Sequence, residues 1–284
     1  MRLHTVPPGS VTMNQPPVPA FDLSAYLARI GYTGPVQATL ACLRALHIAH
    51  AGAIPFENLD IQRGLPIRLE PEAIMAKLVG SQRGGYCFEQ NSLFHMALTR
   101  IGFDLVRRLA RVRMGGDPGG RSHLMLLVTI EGDTHLADVG FGGSCLAEPL
   151  PLRKGEYDSA GDRWRLRPSD WSPGWELEVW RDGDWFGLYW FGDEPVVDHD
   201  LIFGNHYTST HPQSRFIQNR LVARITLSER HSLLNGQYRR RLNGTLAEEL
   251  EIPDEASFRH ILRERFLIDL PADAGLRPVD GIAP

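Results

Sequence analysis

The stretch RGGYCFEQN, residues Arg83 to Asn91, places a cysteine directly behind two glycines and a tyrosine, at the front of an amphipathic helix. A structural cysteine normally lies in the apolar stripe of an element, whereas Cys87 lies where a glycine turn meets a helix and free N–H groups point outward. Gly84 and Gly85 permit a tight turn with positive φ, and the helix dipole favours a thiolate. The stretch therefore predicts a reactive thiol.

Helical periodicity surrounds this stretch from Phe21 to Phe103. Apolar residues recur at three- and four-residue spacing in successive segments, one of them directly behind Pro71. Between two of these segments lies IPFENLDIQRGLPI, whose prolines and glycine predict an ordered connector rather than a helix. We predict a helical bundle over residues 21–102. Residues 1–20 are rich in proline and lack periodicity, which predicts a disordered leader.

Beyond Gly102 the apolar period changes towards two, which is typical of strands. Strands are predicted for LVRRLARVR, HLMLLVTI and THLADVGF, and a hairpin for the Trp-rich pair WELEVW and WFGLYWF. We assign residues 103–205 to a β-barrel. The tail, residues 206–284, is predicted to be α/β, with strands RLVARITL and GQYRRRL, a turn at Asn235-Gly236 and a helix after Pro253.

The composition excludes several classes of function. The 284 residues carry a formal net charge of -4 and no run of Lys or Arg, which argues against a nucleic-acid partner. No apolar run reaches membrane-spanning length, and no signal peptide is recognisable. Three scattered cysteines favour a reducing cytoplasm, and Cys42 and Cys145 are predicted to be structural. Small molecules or proteins are the expected substrates.

A cysteine nucleophile needs a base, and the base needs a group that holds its tautomer. His123 opens one predicted strand, and Asp138 lies in the apolar strand HLADVGF, where a charged side chain requires a partner. If residues 131–133 form a simple hairpin, the residue opposite His123 is near Phe141, about 10 Å of strand rise from Asp138. A bulge or a twist is then needed to join the two side chains.

Four motifs in order, IPFENL, RGGYCFEQN, HLMLLV and ADVGFGG, resemble the arylamine N-acetyltransferases. The likeness extends from about Phe21 to about Phe216 and is weaker in the tail. It implies an α+β fold with a papain-like cysteine core in three parts: an N-terminal helical bundle, a central β-barrel and a C-terminal α/β lid. That arrangement agrees with the periodicity of the chain.

The resemblance also implies the chemistry. Matched residue by residue, Cys87 is the nucleophile, His123 the base and Asp138 the carboxylate that orients it. Acetyl-CoA is the implied donor, which acetylates the cysteine in a ping-pong mechanism, and the implied acceptors are arylamines, arylhydrazines and N-hydroxyarylamines. CoA is a substrate here, and no permanently bound cofactor or metal is expected.

Further residues are implied to contact the substrates or support the site. The resemblance assigns the aromatic acceptor to Phe56, Val112, Phe141 and Phe216, each of which could equally be plain core. Glycines whose backbone N–H groups can approach CoA or the thioester oxygen are Gly119, Gly120 and Gly142. A pair of charged residues, Glu57 and Arg83, is implied to steady the active-site loop.

Two other functions are compatible with these residues. A transglutaminase-like or papain-like hydrolase uses the same order of Cys, His and Asp with water as the acceptor, and the fate of the acyl group distinguishes it. A zinc site is the second alternative, although no Cys-x-x-Cys supports it. The sequence leaves the oligomeric state open between a monomer and a homodimer.

Overall fold

The computed structural model describes residues 21–279 and 281–282, so the predicted leader lies outside the described residues. The α-helices are α1 (Leu23–Arg29), α2 (Leu40–Ala53), α3 (Leu59–Gln62), α4 (Pro71–Ile74), α5 (Cys87–Ile101), α6 (Asp198–Thr210), α7 (Arg215–Gln218) and α8 (Glu255–Phe266). The π-helical turn Met75–Gly80 continues α4, and Gly142–Ser144 is a 3₁₀ turn. Within these residues, no helix has the length and apolar character needed to cross a membrane.

The strands fall into two groups along the chain. The first comprises β1 (Phe56–Glu57), β2 (Asp104–Val112), β3 (Arg121–Ile130), β4 (Asp133–Ala137), β5 (Leu150–Pro151), β6 (Gly155–Ser159), β7 (Asp162–Pro168), β8 (Trp175–Arg181) and β9 (Asp184–Phe191). The second comprises β10 (Leu221–Ile225), β11 (Glu229–Leu234), β12 (Gln237–Leu242) and β13 (Thr245–Glu251).

The N-terminal part is helical because its segments have capping residues at their ends and apolar residues along one face. Thr39 caps α2 by accepting a hydrogen bond from the N–H of Cys42, and Gly102 ends α5 in the left-handed conformation at φ 100°. The apolar faces of α1, α2 and α5 pack together and against one face of β3 and β4. This packing fixes the start of α5 against the strand that follows.

Among the described residues, eight strands form an antiparallel sheet in the order β5-β4-β3-β2-β9-β8-β7-β6. The sheet curls into a nearly closed barrel whose interior is filled by large apolar side chains, among them Trp164, Leu177 and Phe191. The Trp-rich hairpin is confirmed as β8 and β9, with Arg181 paired to Asp184 across its turn.

A second sheet has the order β1-β10-β11-β12-β13, and α8 packs on it. Its first strand, Phe56–Glu57, comes from the predicted connector and pairs with Ala223 and Val222 of β10. The predicted α+β arrangement of helices, barrel-like sheet and α/β tail is therefore present. The domain boundary that we drew after residue 205 falls inside α6, because this helix begins soon after the last barrel strand.

Candidate active site

The turn before Cys87 packs tightly against the connector. A Cβ on Gly84 would lie 2.0 Å from the carbonyl oxygen of Pro55, so only glycine fits. Neither Gly84 nor Gly85 has a positive φ. The expectation of a positive-φ turn is therefore wrong, and the glycines are needed for close approach of two backbones. The N–H of Glu57 donates to the carbonyl of Gly85 at 3.0 Å, which holds the turn beside β1.

Cys87 is the first residue of α5, as predicted. The helix start is fixed because the N–H of Tyr86 donates to the Glu89 carboxylate at 3.1 Å. The thiol is 3% exposed yet lines a cleft, and its Sγ lies 3.7 Å from the carbonyl oxygen of Ser122. Its side chain lies beside that of His123, which lines the same cleft. The two reactive groups therefore meet.

The strand register explains how His123 and Asp138 come together. The turn between β3 and β4 has two residues, with Ile130 paired to Asp133, rather than the three that we assumed. Continuing the Leu126–Ala137 pairing puts residue 140, rather than 141, opposite His123. Asp138 then lies two residues away along the same face, a diagonal position that side chains can span. No bulge is needed in this hairpin.

A bulge does occur on the other side of β3. Ala110 pairs with His123 and Arg111 with Arg121, which leaves Ser122 as the extra residue. This bulge directly precedes His123, and the Ser122 carbonyl faces the Cys87 thiol. This bulge lies between β2 and β3 and plays no part in joining His123 to Asp138, so the expectation of an irregularity between those two residues is wrong.

The Asp138 carboxylate is fully buried and accepts four hydrogen bonds. Oδ2 accepts from Nε2 of His123 at 2.7 Å and from the hydroxyl of Tyr189 at 3.0 Å. Oδ1 accepts from Nδ2 of Asn91 at 3.0 Å and from the N–H of Gly140 at 2.9 Å. With Nε2 bonded to the carboxylate, Nδ1 of His123 is the nitrogen available to the thiol.

These contacts favour a positive charge on His123 and a negative charge on Asp138. Desolvation acts to lower the pKa of His123, but the Asp138 charge, its hydrogen bond and the contacts with Cys87 outweigh it and raise that pKa to about 10. Burial acts to raise the pKa of Asp138, but the His123 charge and the hydrogen bonds from His123, Asn91 and Gly140 hold it below its usual value. The geometry therefore favours an imidazolium beside a carboxylate.

Three residues that form hydrogen bonds with Asp138 were not predicted from the sequence. Asn91 lies four residues after Cys87, so both occupy one helix face, and this spacing was a usable signal. Tyr189 lies within an aromatic strand that gives no such signal. His47 accepts a hydrogen bond from the N–H of Asp138 at 3.2 Å, and burial lowers its pKa to about 4, so it is neutral.

The remaining cysteines lie outside the cleft lining. Cys145 donates to the carbonyl oxygen of Asp138 at 3.0 Å, and burial raises the pKa of its thiol. Cys42 is buried in α2. Both positions agree with the structural roles predicted for them.

The Glu57–Arg83 pair forms as predicted, and it belongs to a larger buried network. Nε and Nη2 of Arg83 donate to Oε1 of Glu57 at 3.0 and 2.7 Å, and Nη2 also reaches Asp60 at 3.2 Å. Lys77 joins Asp60, at 2.9 Å, to Glu89, at 2.7 Å. The network ties β1, α3 and the π-helical turn Met75–Gly80 to the first turn of α5, where Cys87 lies.

We expect Arg83→Met to lower the free energy of unfolding by about 3–5 kcal/mol, because it leaves the buried Glu57 carboxylate without its closest cation. Urea unfolding followed by circular dichroism measures the change. The matched variant Arg68→Met breaks the exposed ion pair with Glu70, and we expect less than about 1 kcal/mol. Equally small changes from both variants would show that the Arg83 contact does not stabilise the turn.

A cleft of about 840 Å³ opens beside the triad. The residues predicted to hold the acceptor all line it: Phe56, Val112, Phe141 and Phe216. The Phe56 and Phe216 rings are 6.0 Å apart, and the Phe141 ring lies 4.7 Å from that of His123. The wall beside the nucleophile is therefore aromatic.

Only some of the glycines predicted to contact CoA line the cleft. Gly142 lines the cleft. Among the described residues that line it, Gly119 and Gly120 do not occur. The N–H of Gly119 donates to the carbonyl of Val112 at 3.0 Å and its own carbonyl accepts from Arg111 at 3.0 Å, so its polar groups are used within the loop. Their contact with CoA stays a prediction.

Arginines line the same cleft, a feature that the overall negative charge conceals: Arg163, Arg181, Arg215, Arg230, Arg239 and Arg241. Part of this wall is closed by two turns that meet backbone to backbone. A Cβ on Gly161, before β7, would lie 2.2 Å from the carbonyl carbon of Asn243, and one on Gly244 would lie 2.1 Å from the oxygen of Gly161. The barrel-like sheet and the second sheet are in contact there.

Comparison with known proteins agrees with this geometry. A family model described as N-acetyltransferase matches residues 39–274. The arylamine N-acetyltransferase of Escherichia coli (strain K12) is 34% identical over 249 residues, which cover 86% of this chain and 88% of that protein. The corresponding enzyme of Mycolicibacterium smegmatis is 37% identical over 265 residues, which cover 90% and 95%.

Solved structures give the same result. The Mycobacterium marinum arylamine N-acetyltransferase in complex with CoA matches with a TM-score of 0.83 and 36% identity, covering 89% of this chain and 95% of that one. The predicted three-part fold with its cysteine core is thereby confirmed. The chain belongs to the arylamine N-acetyltransferase family of acyltransferases.

Proposed function

We propose that this protein transfers an acetyl group from acetyl-CoA to Cys87 and then to the nitrogen of an arylamine, an arylhydrazine or an N-hydroxyarylamine. One observation carries the proposal: Cys87 and His123 lie side by side in the lining of an aromatic cleft, and the His123 ring is hydrogen-bonded to the buried Asp138 carboxylate. The CoA complex of the Mycobacterium marinum relative supports the choice of donor.

In the first half-reaction, Nδ1 of His123 holds the proton that it has taken from Cys87, and the sulfur attacks the carbonyl carbon of the thioester as a thiolate. The carbon–sulfur bond to CoA breaks, and the CoA sulfur leaves with the proton from His123. Asp138 keeps its own charge throughout and stabilises the imidazolium. This exchange of one thioester for another is nearly balanced in energy, so it runs readily in both directions.

In the second half-reaction, the acceptor nitrogen attacks the acetyl-cysteine carbonyl. His123 takes the proton from the nitrogen and returns it to the Cys87 sulfur as the carbon–sulfur bond breaks. An aromatic amine is weakly basic and mostly unprotonated at neutral pH, which makes its lone pair available. The rings of Phe56, Phe141 and Phe216 supply an apolar slot for such an acceptor.

Labelling the protein with acetyl-CoA and then adding aniline tests this proposal. We expect incubation with acetyl-CoA to add one acetyl group, detected by intact mass and mapped by peptide digestion to Cys87. Addition of aniline should then remove the label as acetanilide in stoichiometric amount. CoA should be released before the amine is added, because the mechanism has two separate half-reactions.

Two results would contradict the proposal. If the label is lost to water as fast without aniline as with it, the hydrolase alternative is favoured. If no label forms on Cys87 although the folded protein acetylates aniline, acetyl transfer proceeds directly between the two substrates.

A further inference from the structure

Half of the arginines in the cleft already have carboxylate partners. The pairs are Arg163 with Glu156, Arg230 with Asp162, and Arg239 with Glu249. Within residues 21–279 and 281–282, the lining arginines without an ion pair are Arg181, Arg215 and Arg241. Asp182 is the lining carboxylate without one. Three unpaired cations against one unpaired carboxylate leave this cleft with a charge of +2, in a chain whose formal net charge is -4.

Two of the unpaired arginines converge from different sheets. Arg181 ends β8, and its Nη2 donates to the hydroxyl of Ser144 at 2.7 Å. Arg241, in β12, uses Nη1 to reach the carbonyl oxygen of Gly244 at 3.2 Å. Desolvation lowers the pKa of Arg181, the charges of Asp162 and Asp182 act to raise it, and the positive charges of Arg230 and Arg241 act to lower it. Like charges gathered in this way repel, and an anion between them would relieve the repulsion.

The backbone that carries Arg181 is set back from the nucleophile. Tyr189, which touches the triad carboxylate, and Asp184, which pairs with Arg181, lie five residues apart on β9. Strand rise puts the backbones of these two residues about 17 Å apart, and the Arg181 side chain extends back as far as Ser144. A donor whose thioester reaches Cys87 and whose charged end reaches this cluster must carry its phosphates at the end of a long flexible arm, as CoA does on pantetheine.

We propose that Arg181 and Arg241 bind the phosphate groups of the acyl donor. This inference rests on the proposed function and adds to it the part of the donor that is recognised. Each guanidinium has donors left over after its one contact within the protein, and its planar fork suits phosphate oxygens. The backbone contact between Gly161 and Gly244 fixes the turn that follows Arg241, so the spacing of the two cations is set before the donor binds.

Steady-state kinetics with three donors tests the assignment: acetyl-CoA, acetyl-dephospho-CoA and S-acetylpantetheine. For the double variant Arg181→Gln/Arg241→Gln we expect KM for acetyl-CoA to rise by about 10- to 100-fold with kcat unchanged, because charge-assisted contacts to a remote group are lost. The KM for S-acetylpantetheine, which has no phosphate, should be unchanged. The KM of the double variant for acetyl-dephospho-CoA, which lacks the 3′-phosphate, shows which phosphate is bound. If the arginines bind the 3′-phosphate, this KM should not rise; if they bind the pyrophosphate, it should still rise.

The matched control is Arg153→Gln, which removes an exposed arginine outside the cleft lining and should change no KM by more than about twofold. The inference is wrong if the double variant keeps the wild-type KM for acetyl-CoA. It is equally wrong if the KM values for acetyl-CoA and S-acetylpantetheine rise by the same factor, since the arginines then act on the fold. Failure of the wild-type protein to use any of the donors would refute the proposed function instead.

Discussion

Cys87→Ala should carry no acetyl group after incubation with acetyl-CoA, and its transfer rate should fall by about 10⁶-fold, to background. The reason is that, in the proposed mechanism, the sulfur is both the atom that attacks the thioester and the atom that carries the acetyl group. The change deletes one atom from the first turn of α5, a site already fixed by Glu89 and the Gly84–Gly85 turn. Intact mass and acetanilide formation measure the two effects.

The matched control is Cys42→Ala. Its thiol is equally buried but lies in α2, outside the cleft, so labelling and turnover should persist. A labelled Cys87→Ala protein would refute the assignment of the nucleophile, and loss of labelling in Cys42→Ala would show that the assay reports stability rather than chemistry.

Asp138→Asn should lower the rate of acetyl transfer by about 10³- to 10⁴-fold while the fold is retained. If the asparagine oxygen keeps the hydrogen bonds from Asn91 and Gly140, its NH₂ group faces the His123 ring. Nε2 must then accept, so the ring proton moves to Nδ1, the nitrogen that should take the thiol proton. Rates of labelling and the near-ultraviolet circular dichroism spectrum separate lost chemistry from lost structure.

The same variant should change how stability depends on pH. The pKa of His123 is raised from about 6.5 in the unfolded chain to about 10 in the folded one, so its stabilisation is complete below 6.5 and is lost as the pH rises through 10. We therefore expect the wild-type protein to lose more stability than Asp138→Asn between pH 6.5 and 10. Urea midpoints across this window measure the difference. Parallel curves would show that the carboxylate does not hold the imidazolium.

The sequence predicted the elements whose apolar pattern is strong. The helices around Cys87 and the strands β2, β3, β8 and β9 repeat apolar residues at one clear period, and all occur close to their predicted bounds. The strands β1, β5, β6, β7, β11 and β13 were missed. Short or polar segments such as GEYDS and TLAEELE carry no such pattern, and their place depends on neighbouring strands. The strand β7 is different, because Trp164 and Leu166 alternate with polar residues and gave a usable signal.

The site was predictable in part. The resemblance supplied Cys87, His123 and Asp138, and the structure puts their side chains in contact. The expected distance between the last two was wrong because the length of a hairpin turn sets the register, and one residue more or less moves a side chain to the other face. The arginines of the cleft could not be foreseen, because they come from strands of both sheets and from α7, which only tertiary contacts bring together.

The two-residue strand β1 has a consequence for how the molecule is made. Phe56 pairs with Ala223 and also bridges to Gly85, so the turn before the nucleophile is backed by a strand whose partner lies more than half the chain away. Such distant pairing is slow to form, and on the ribosome it must wait until residues 221–225 have emerged. A nascent chain that ends before them has the thiol but lacks this support, so we expect the complete site to form only after nearly complete synthesis.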